Sequence, residues 1–276
     1  MTRTLWEDVR LDPGNQDQVW ELFHENSKIG KYQLPVSDQE VAARMALLWE
    51  VLPYEGYPVL ELPRSLTPLS LSLAEAITSR VSARRLSPCS LTLANVATLL
   101  HYAYGITRDN QGTHFPRPFR VVPSAGALYP LEIFFHSACI QDAPAGLYHY
   151  NPLQHHLRRL RQGDESARIA AALAQPNLAG DASLLLFITA LFERTTFKYG
   201  DRGYRFALLE AGHLAQNVNL VAAGLGLGSV NIGGFFDRQI DEFLDLDGLT
   251  HSTIYLVGIG KNLDNDPVAL VNDAQG

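Results

Sequence analysis

Apolar and small side chains recur at helical spacing between residues 203 and 225, on more than one face of the helix that they predict. These positions are Ala207, Leu208, Ala211, Leu214, Ala215, Val218, Val221, Ala222 and Leu225. The pattern predicts a long helix that begins near Gly203 and is buried on several sides. Ionisable residues run straight into this helix, and Lys198 and Tyr199 lie just upstream of it. We therefore expect a ligand site where the chain enters the helix.

Other helices are predicted where a capping residue precedes an apolar pattern. Ser37 with Glu40 and Ser72 with Glu75 have the spacing of capping boxes and mark the start of two helices. Further helices are predicted over 92–104, ending at Gly105, and over 164–174 and 237–244.

Short apolar runs bounded by glycine, proline or polar clusters predict strands. The predicted strands are Leu131–Ala138, Leu184–Phe192, Ser229–Ile232 and Thr253–Ile259. Because helices separate these strands, the pattern indicates an α+β domain in which a sheet packs under helices. We divide the chain into an N-terminal accessory region over 1–68, a main domain over 69–262 and an acidic tail over 263–276, which we expect to be mobile.

Composition narrows the functional classes. The chain has 276 residues, 46% of them hydrophobic, which is enough for one sizeable core. Its 22 basic and 29 acidic residues give a formal charge of −7, which argues against nucleic acid or an anionic membrane as the partner. The longest apolar run is too short to span a bilayer, and Cys89 and Cys139 lack metal-ligand spacing. We expect a soluble cytoplasmic protein with reduced thiols and no metal site.

Two segments carry candidate binding chemistry. Arg80, Ser82 and Arg84 crowd one turn, and guanidinium groups with a hydroxyl are suited to a phosphate dianion. On composition alone, solvated surface arginines are the simpler interpretation. Small residues follow Pro123, so a ring system can lie close to this backbone while Ser124 bonds to its edge. The alternative is an ordinary loop that enters a strand.

Two glycine-containing segments have different meanings. The run Gly224–Ser229 follows a helix instead of a strand, so it is a helix stop and not a dinucleotide-binding fingerprint. Gly233 and Gly234 offer successive backbone N–H groups without side chains, which suits an electron-rich ring atom, although a plain turn is the alternative.

Several histidines and one glutamate have simpler interpretations than a metal site. His149, His155 and His156 lack a completing ligand, so we expect a solvated hairpin there. His213 is expected to be a satisfied core histidine. Glu210 does not share a helical stripe with Arg205, so its partner must come from another element.

The combined motifs resemble the SagB-type dehydrogenases of the FMN-dependent nitroreductase superfamily, which include thiazoline and oxazoline oxidases. The resemblance covers roughly residues 70–261 and rests on Arg80-x-Ser82-x-Arg84, Pro123–Glu132, Lys198-Tyr199 before Arg202–Arg205, Gly226–Gly228 and Gly233-Gly234. It departs from the family at Val81, where a second arginine is frequent.

This resemblance implies a nitroreductase-like fold with a central, mostly antiparallel sheet, and a homodimer that holds FMN at its interface. Arg80, Arg84 and Lys261 would then meet the phosphate, with Ser82 nearby. Pro123, Ser124 and Gly126 would line the flavin ring, and Gly233 and Gly234 would lie near N5. The small residues Ala207, Ala211, Gly212 and Ala215 would form a two-fold seam, with core packing inside one chain as the alternative.

The resemblance also implies that Lys198 and Tyr199 are the catalytic pair. Aromatising an azoline removes a hydride and a proton, so a base is needed beside the flavin. Lys198 is the candidate base, Arg202 and Arg205 could supply a field that activates it, and Tyr199 could orient the substrate or relay the proton.

The leading expectation is an FMN-dependent azoline oxidase acting after a cyclodehydratase, on a peptide or carrier-bound substrate. The alternatives are an NAD(P)H-dependent reductase of nitro, quinone or enone compounds on the same flavin, and a non-catalytic scaffold of a synthetase complex.

Overall fold

The computed structural model describes residues 19–32, 35–110, 112 and 117–264. Its helices are α1 (Val19–Asn26), α2 (Asp38–Leu47), α3 (Leu73–Ser79), α4 (Leu93–Tyr104), α5 (Ser166–Ala170), α6 (Asn177–Asp181), α7 (Glu193–Tyr199), α8 (Asp201–Gly224) and α9 (Asp237–Leu244). Its strands are β1 (Val59–Glu61), β2 (Leu86–Ser87), β3 (Ile106–Arg108), β4 (Phe119–Arg120), β5 (Leu131–Ser137), β6 (Gly146–Asn151), β7 (His156–Gln162), β8 (Leu184–Leu191), β9 (Gly228–Ile232) and β10 (His251–Asn262).

The main sheet runs in the order β1-β7-β6-β5-β8-β10-β2, and β9 also pairs with β10. Its strand pairs are antiparallel, with Phe134 opposite Phe187 at the centre. The α+β arrangement with a mostly antiparallel sheet is confirmed, as are the four predicted strands. The hairpin β6–β7 was expected to be solvated and was not among the predicted strands of the sheet, because histidine and arginine interrupt its apolar pattern.

Alternate side chains of the central strands enter two separate cores, as the two-residue period of a strand requires. Ile133 and Phe135 of β5 pack into the core that contains α4 and α8. Phe134, between them, packs into the core that contains Ile169 of α5 and Phe243 of α9. The sheet is therefore covered by helices on both faces, and both faces of β5 and β8 are buried.

The predicted helix boundaries are mostly correct. Ser72 and Glu75 form a complete capping box, while Ser37 accepts a hydrogen bond from the Glu40 N–H. The region 164–174 contains only the short helix α5, and α6 follows it after a turn. The helix stop after Gly224 is confirmed: α8 ends there, Gly226 has φ +73°, and β9 begins at Gly228.

The long helix α8 has one buried and one exposed face. Ala207, Ala211 and Ala215 are buried in the core that α8 shares with α4, so they serve packing inside the chain. Leu208 is 42% exposed and Leu209 59% exposed, and His213, one turn beyond Leu209, is also exposed. Within one chain, α8 is therefore buried on one side, and His213 lies on its exposed face and not in the core.

The N-terminal region is joined closely to the main domain. Strand β1 extends the sheet by pairing with β7, so the sheet continues across the boundary placed at residue 68. Val41 and Met45 of α2 pack against Leu128 and the Tyr199 side chain. Within the described ranges, no helix has both the length and the apolar character needed to cross a bilayer. The tail beyond residue 264 lies outside the described residues.

Candidate functional site

The loop after Pro123 folds tightly around Ser124 and Gly126. Ser124 Oγ accepts the Tyr129 N–H at 2.9 Å, and the Ser124 carbonyl accepts the Ala127 N–H at 3.1 Å. Gly126 has φ +65°, and a Cβ added to it would lie 2.7 Å from Tyr199 Oη and 3.2 Å from Lys198 Nζ. The loop therefore brings Gly126 directly against the amine and phenol, and a side chain at this position would displace them.

Lys198 and Tyr199 occupy the last turn of α7, at the corner with α8. The corner needs glycine twice: Gly200 has φ +55°, and a Cβ on Gly203 would meet the Thr195 backbone at 2.7 Å. The Tyr199 ring packs edge-on against Phe206 with centroids 5.0 Å apart. Lys198 Nζ lies 5.3 Å from the centroid of the Tyr199 ring. Both side chains are half-buried, so they are held by packing and still reach solvent.

A buried ionic network fixes α7 to the sheet. Arg194, one turn before Lys198, contacts Glu132 Oε1 at 2.7 Å, and Nε2 of His149 lies 2.5 Å from Glu132 Oε2. The Leu52 N–H also donates to Glu132. Burial would raise the pKa of Glu132, but Arg194 and His149 outweigh it and lower that pKa to about 2. The carboxylate is thus an ionised anchor for the helix that carries Lys198.

This network corrects the interpretation of the histidines. His149 is fully buried and His156 is 4% exposed, so these two residues do not belong to a solvated hairpin. The prediction failed because β6 and β7 lie in the sheet, where Glu132 compensates the polarity of His149. His155 is half-buried, and its Nδ1 lies 3.0 Å from Tyr150 Oη.

The two arginines expected to activate Lys198 have other partners. Arg202 Nε donates to the Ser27 carbonyl at 3.0 Å, and Arg205 Nη2 donates to the His24 carbonyl at 2.5 Å. Both carbonyls lie at the C-terminal end of α1, where cations interact favourably with the helix dipole. Arg202 and Arg205 therefore hold α1 beside the start of α8.

Arg80, Ser82 and Arg84 line a cavity of about 910 Å³ together with residues of β9 and α6. Their backbone is held against β9 by the Ala83 N–H, which donates to the Ser229 carbonyl at 2.9 Å. Gly233 and Gly234 line an adjoining cavity of about 200 Å³, and the two cavities have Gln175, Leu178, Val230 and Asn231 in common. The residues predicted to bind the FMN phosphate and the two glycines predicted to lie near flavin N5 therefore line one groove.

An acidic residue lines the same groove. Asp264 accepts the Arg84 backbone N–H at 2.6 Å and lies 3.5 Å from Arg85 Nε. Lys261, also predicted to meet the phosphate, is exposed on β10, where it pairs with Ser87. A carboxylate therefore lies beside the basic cluster at the end of the described chain.

The loop site and the groove lie towards opposite ends of α8. Lys198 lies just before the start of α8, and Ser124 lowers the pKa of Glu210, in the first half of the helix. The Gly224 carbonyl at the end of α8 accepts the Ser70 N–H just before α3. At about 1.5 Å per residue, Glu210 and Gly224 are separated by roughly 20 Å along the helix. The predicted site residues of one chain thus form two groups.

Glu210 has its partner on another helix, as its sequence position predicts. Its Oε1 accepts the Tyr104 hydroxyl of α4 at 2.8 Å. Burial raises the pKa of Glu210 to about 7, although Ser124, Tyr104, Arg120 and Arg194 each lower it. Glu210 was not predicted to have a role at the site. The signal that marks it in the sequence is a carboxyl inside an otherwise apolar helix face.

The fold and these sites define a class of protein. Residues 77–261 match the nitroreductase family, so the chain belongs to that family of flavoprotein oxidoreductases. The Methanocaldococcus jannaschii protein MJ1384, which carries the name of a nitroreductase, is 36% identical over 194 residues, or 70% of this chain and 93% of its own length.

Two processing proteins are also similar. The microcin B17-processing protein McbC of Escherichia coli is 36% identical over 161 residues, which cover 53% of this chain and 56% of McbC. The trifolitoxin-processing protein TfxB of Rhizobium leguminosarum bv. trifolii is 30% identical over 176 residues, covering 60% of this chain and 46% of TfxB. These two matches span about half the length of each relative.

Solved structures have the same fold. A nitroreductase-like protein of Anabaena variabilis superposes with a TM-score of 0.68 at 25% identity, covering 87% of this chain and 46% of that one. A chain of the E. coli microcin synthetase McbBCD complex, solved with truncated pro-MccB17 bound, superposes with a TM-score of 0.57 at 26% identity, covering 88% of this chain and 91% of that one.

Proposed function

We propose that this protein is an FMN-dependent dehydrogenase that oxidises thiazoline or oxazoline rings to thiazoles or oxazoles in a peptide or carrier-bound intermediate. The observation that carries the proposal is the convergence of Lys198 Nζ and Tyr199 Oη on the side-chain-free Gly126. The similarity to McbC and TfxB, both named as processing proteins of peptide products, supports this substrate class.

The residues present fit FMN at two places. Arg80, Arg84 and the Ser82 hydroxyl provide guanidinium and hydroxyl donors in a cavity that is large enough for a phosphate. None of the described residues approaches within 4 Å of a Cβ added to Gly233, so a planar ring can approach the backbone there. Lys261 would add charge to the phosphate side, and Pro123, Ser124 and Gly126 would line the ring.

A homodimer would join the two groups of site residues. The exposed face of α8 includes Leu208, Leu209, Gly212 and His213, and a Cβ on Gly212 would meet no atom of the described residues within 4 Å. Gly212 lies at the middle of α8, so two copies crossing there about a two-fold axis would place the start of one helix near the end of the other. Ser124 and Lys198 of one protomer would then face the Arg80 groove of its partner.

When bound, FMN would supply the hydride acceptor for this oxidation, so the protein's own residues would have to remove the neighbouring proton. The Lys198 amine takes that proton, while the Tyr199 phenol, beside it, orients the ring. The Glu132–Arg194 ion pair holds α7, and with it Lys198, at a fixed distance from Gly126. We also propose that the protein works in a synthetase complex, downstream of the cyclodehydratase that makes the azoline.

The proposal is tested by anaerobic flavin titration of the purified holoenzyme. We expect an azoline peptide to bleach the flavin of the wild type, and Lys198→Ala to retain FMN while bleaching at least about 100-fold more slowly. Lys31→Ala, which changes an exposed lysine, is the matched control and should behave as wild type.

Three other results would contradict parts of this proposal. Bleaching by NAD(P)H but not by an azoline peptide would establish the reductase alternative, and a colourless protein that never binds flavin would favour a scaffold. Wild-type bleaching by Lys198→Ala would remove the assignment of the base.

A further inference from the structure

We propose that Arg117 is a positioning residue for Tyr199: it holds the C-terminal end of α2, and α2 in turn fixes the Tyr199 ring beside Gly126. This inference deepens the proposed function, because it rests on the assignment of Tyr199 as the residue that orients the azoline. It concerns a buried arginine that the proposed oxidation does not itself use.

Helix α2 is attached to the rest of the protein through a narrow face. Of the ten residues that the structure describes in α2, only Val41 and Met45, one turn apart, are buried. Leu47, two residues beyond Met45, is 82% exposed. Because two apolar side chains bury little area, the position of α2 depends strongly on the polar contacts at its ends.

The narrow face of α2 packs directly on the candidate site. Val41 and Met45 form a small core with Leu128, and the Tyr199 ring packs against this core. A Cβ built on Gly126 would lie 3.6 Å from Leu128 Cγ and 2.7 Å from Tyr199 Oη. Since closely packed side chains transmit displacements to their neighbours, a shift of α2 would move both the phenol and the loop that faces it.

The C-terminal end of α2 is capped by the guanidinium of Arg117. The last carbonyls of a helix have no partner within the helix, and α2 ends at Leu48 in extended backbone instead of at a left-handed glycine. Arg117 Nη2 donates to the Met45 carbonyl at 2.7 Å and to the Leu48 carbonyl at 3.1 Å. Arg117 is 8% exposed, so these charge-assisted bonds are shielded from water, and its charge lies at the favourable end of the helix dipole.

The chain after α2 is tied to the same scaffold that holds α7. Arg120 Nη2 of β4 donates to the Glu50 carbonyl at 3.1 Å. The Leu52 N–H donates at 3.0 Å to Oε1 of Glu132, the carboxylate of β5 that anchors α7. Helices α2 and α7, which meet at the Tyr199 ring, are therefore fixed to one frame, and the bonds from Arg117 are the part of that frame that acts on α2 itself.

The expected consequence is a loss of substrate orientation. Arg117→Met keeps much of the length of the side chain but removes its donors, so α2 is released and the Tyr199 ring gains freedom. A bound azoline then reaches the productive geometry less often, and we expect flavin bleaching by an azoline peptide to slow by about tenfold. Lys198 remains anchored through α7, so the loss acts through Tyr199 alone.

The test is a double-mutant cycle between Arg117 and Tyr199, measured as anaerobic single-turnover bleaching of the holoenzyme at saturating azoline peptide. Tyr199→Phe removes the phenol that Arg117 positions. We therefore expect Arg117→Met to slow bleaching about tenfold in the wild type and less than about twofold in the Tyr199→Phe protein. Arg44→Met, which changes an exposed arginine in the last turn of α2, is the matched control and should bleach at the wild-type rate.

Two outcomes of the cycle would overturn the inference. An equal loss in both backgrounds would show that Arg117 acts on folding or through another residue, and a wild-type rate in Arg117→Met would show that its bonds position nothing. If Arg117→Met does not fold, Met45→Ala tests the same path, because it removes the packing against Tyr199 and keeps the Met45 carbonyl for Arg117. The same dependence on the Tyr199 phenol is expected, and its absence would overturn the inference.

A readout in the flavin-free protein separates this inference from the proposed function. Fluorotyrosine incorporated in place of Tyr199 reports the surroundings of the ring by fluorine NMR. We expect its resonance to move towards that of free fluorotyrosine in Arg117→Met and to stay in place in Arg44→Met. An unmoved resonance in Arg117→Met would overturn the inference. Failure of azoline peptides to bleach the wild-type flavin would overturn the proposed function instead, while the resonance would still report whether Arg117 positions Tyr199.

Discussion

Two buried glutamates in this protein have the same exposure and pKa values that are shifted in opposite directions. Glu132 and Glu210 are each 2% exposed. Glu132 contacts Arg194 and His149 directly, and its pKa falls to about 2. Glu210 has a neutral phenol as its near partner, and its pKa rises to about 7. Burial alone therefore does not decide the charge of a carboxyl; the nearest partner decides it.

The comparison separates two roles at the candidate site. The ion pair of Glu132 with Arg194 holds α7 in place, and the low pKa of Glu132 keeps it ionised at neutral pH. The raised pKa of Glu210 makes its contribution to stability depend on pH near neutrality.

The largest expected effect comes from removing the charge of Glu132. Glu132→Gln leaves the Arg194 guanidinium buried without a counterion, so we expect a loss of about 3–5 kcal/mol in the free energy of unfolding, measured by urea denaturation. Lys198 should also shift from Gly126, lowering oxidation. Glu193→Gln, an exposed change beside Arg194, is the control and should leave the stability unchanged. A cost below about 1 kcal/mol would show that the ion pair does not anchor α7.

The second largest expected effect is a gain in stability, and it comes from replacing Glu210. The raised pKa of Glu210 means that its contribution to folding is complete below pH 4.5 and is lost as pH rises through about 7. Glu210→Gln removes this loss, so the variant should gain stability relative to wild type between those pH values, by up to about 3 kcal/mol. Urea denaturation at a series of pH values measures it. A stability difference that does not change with pH would mean that Glu210 is charged in the folded protein.

The sequence predicts the fold better than it predicts these two networks. Strands β5, β8 and β10 were recognised from their apolar runs, and α8 from its helical period, because burial on the sheet dictates both patterns. The hairpin β6–β7 was expected to be solvated, and its place in the sheet was missed, since His149 conceals an interior strand unless its partner Glu132 is known. That partner is 17 residues away in the sequence and adjacent only in the sheet.

At the candidate site, too, the sequence predicts some residues but not the buried ion pair behind them. Motif order suggested Ser124, Gly126, Lys198 and Tyr199, and the structure brings these residues together around Gly126. Arg194 was not recognised, because nothing in its sequence neighbourhood indicates that its charge is buried. The available signal was Glu132: a lone carboxylate inside a predicted apolar strand requires a cation from another element.

The smallest expected effect concerns a third carboxylate, Asp264, which is partly exposed and screened by water. It shares the groove with Arg80 and Arg84, so it should repel the FMN phosphate without being needed for folding. We expect Asp264→Asn to bind FMN about two- to fivefold more tightly at low salt, and the difference to shrink at high salt. Fluorescence titration measures both.

Asp142→Asn is the matched control for this effect, because Asp142 is exposed and its φ of +59° is tolerated by asparagine. Weaker FMN binding by Asp264→Asn would mean that the bonds from Asp264 to Arg84 and Arg85 position the basic cluster and matter more than the repulsion. In that case Asp264 would resemble Glu132, which holds its arginine in place. Tighter binding would instead show that, in water, a carboxylate acts on the site mainly through its charge.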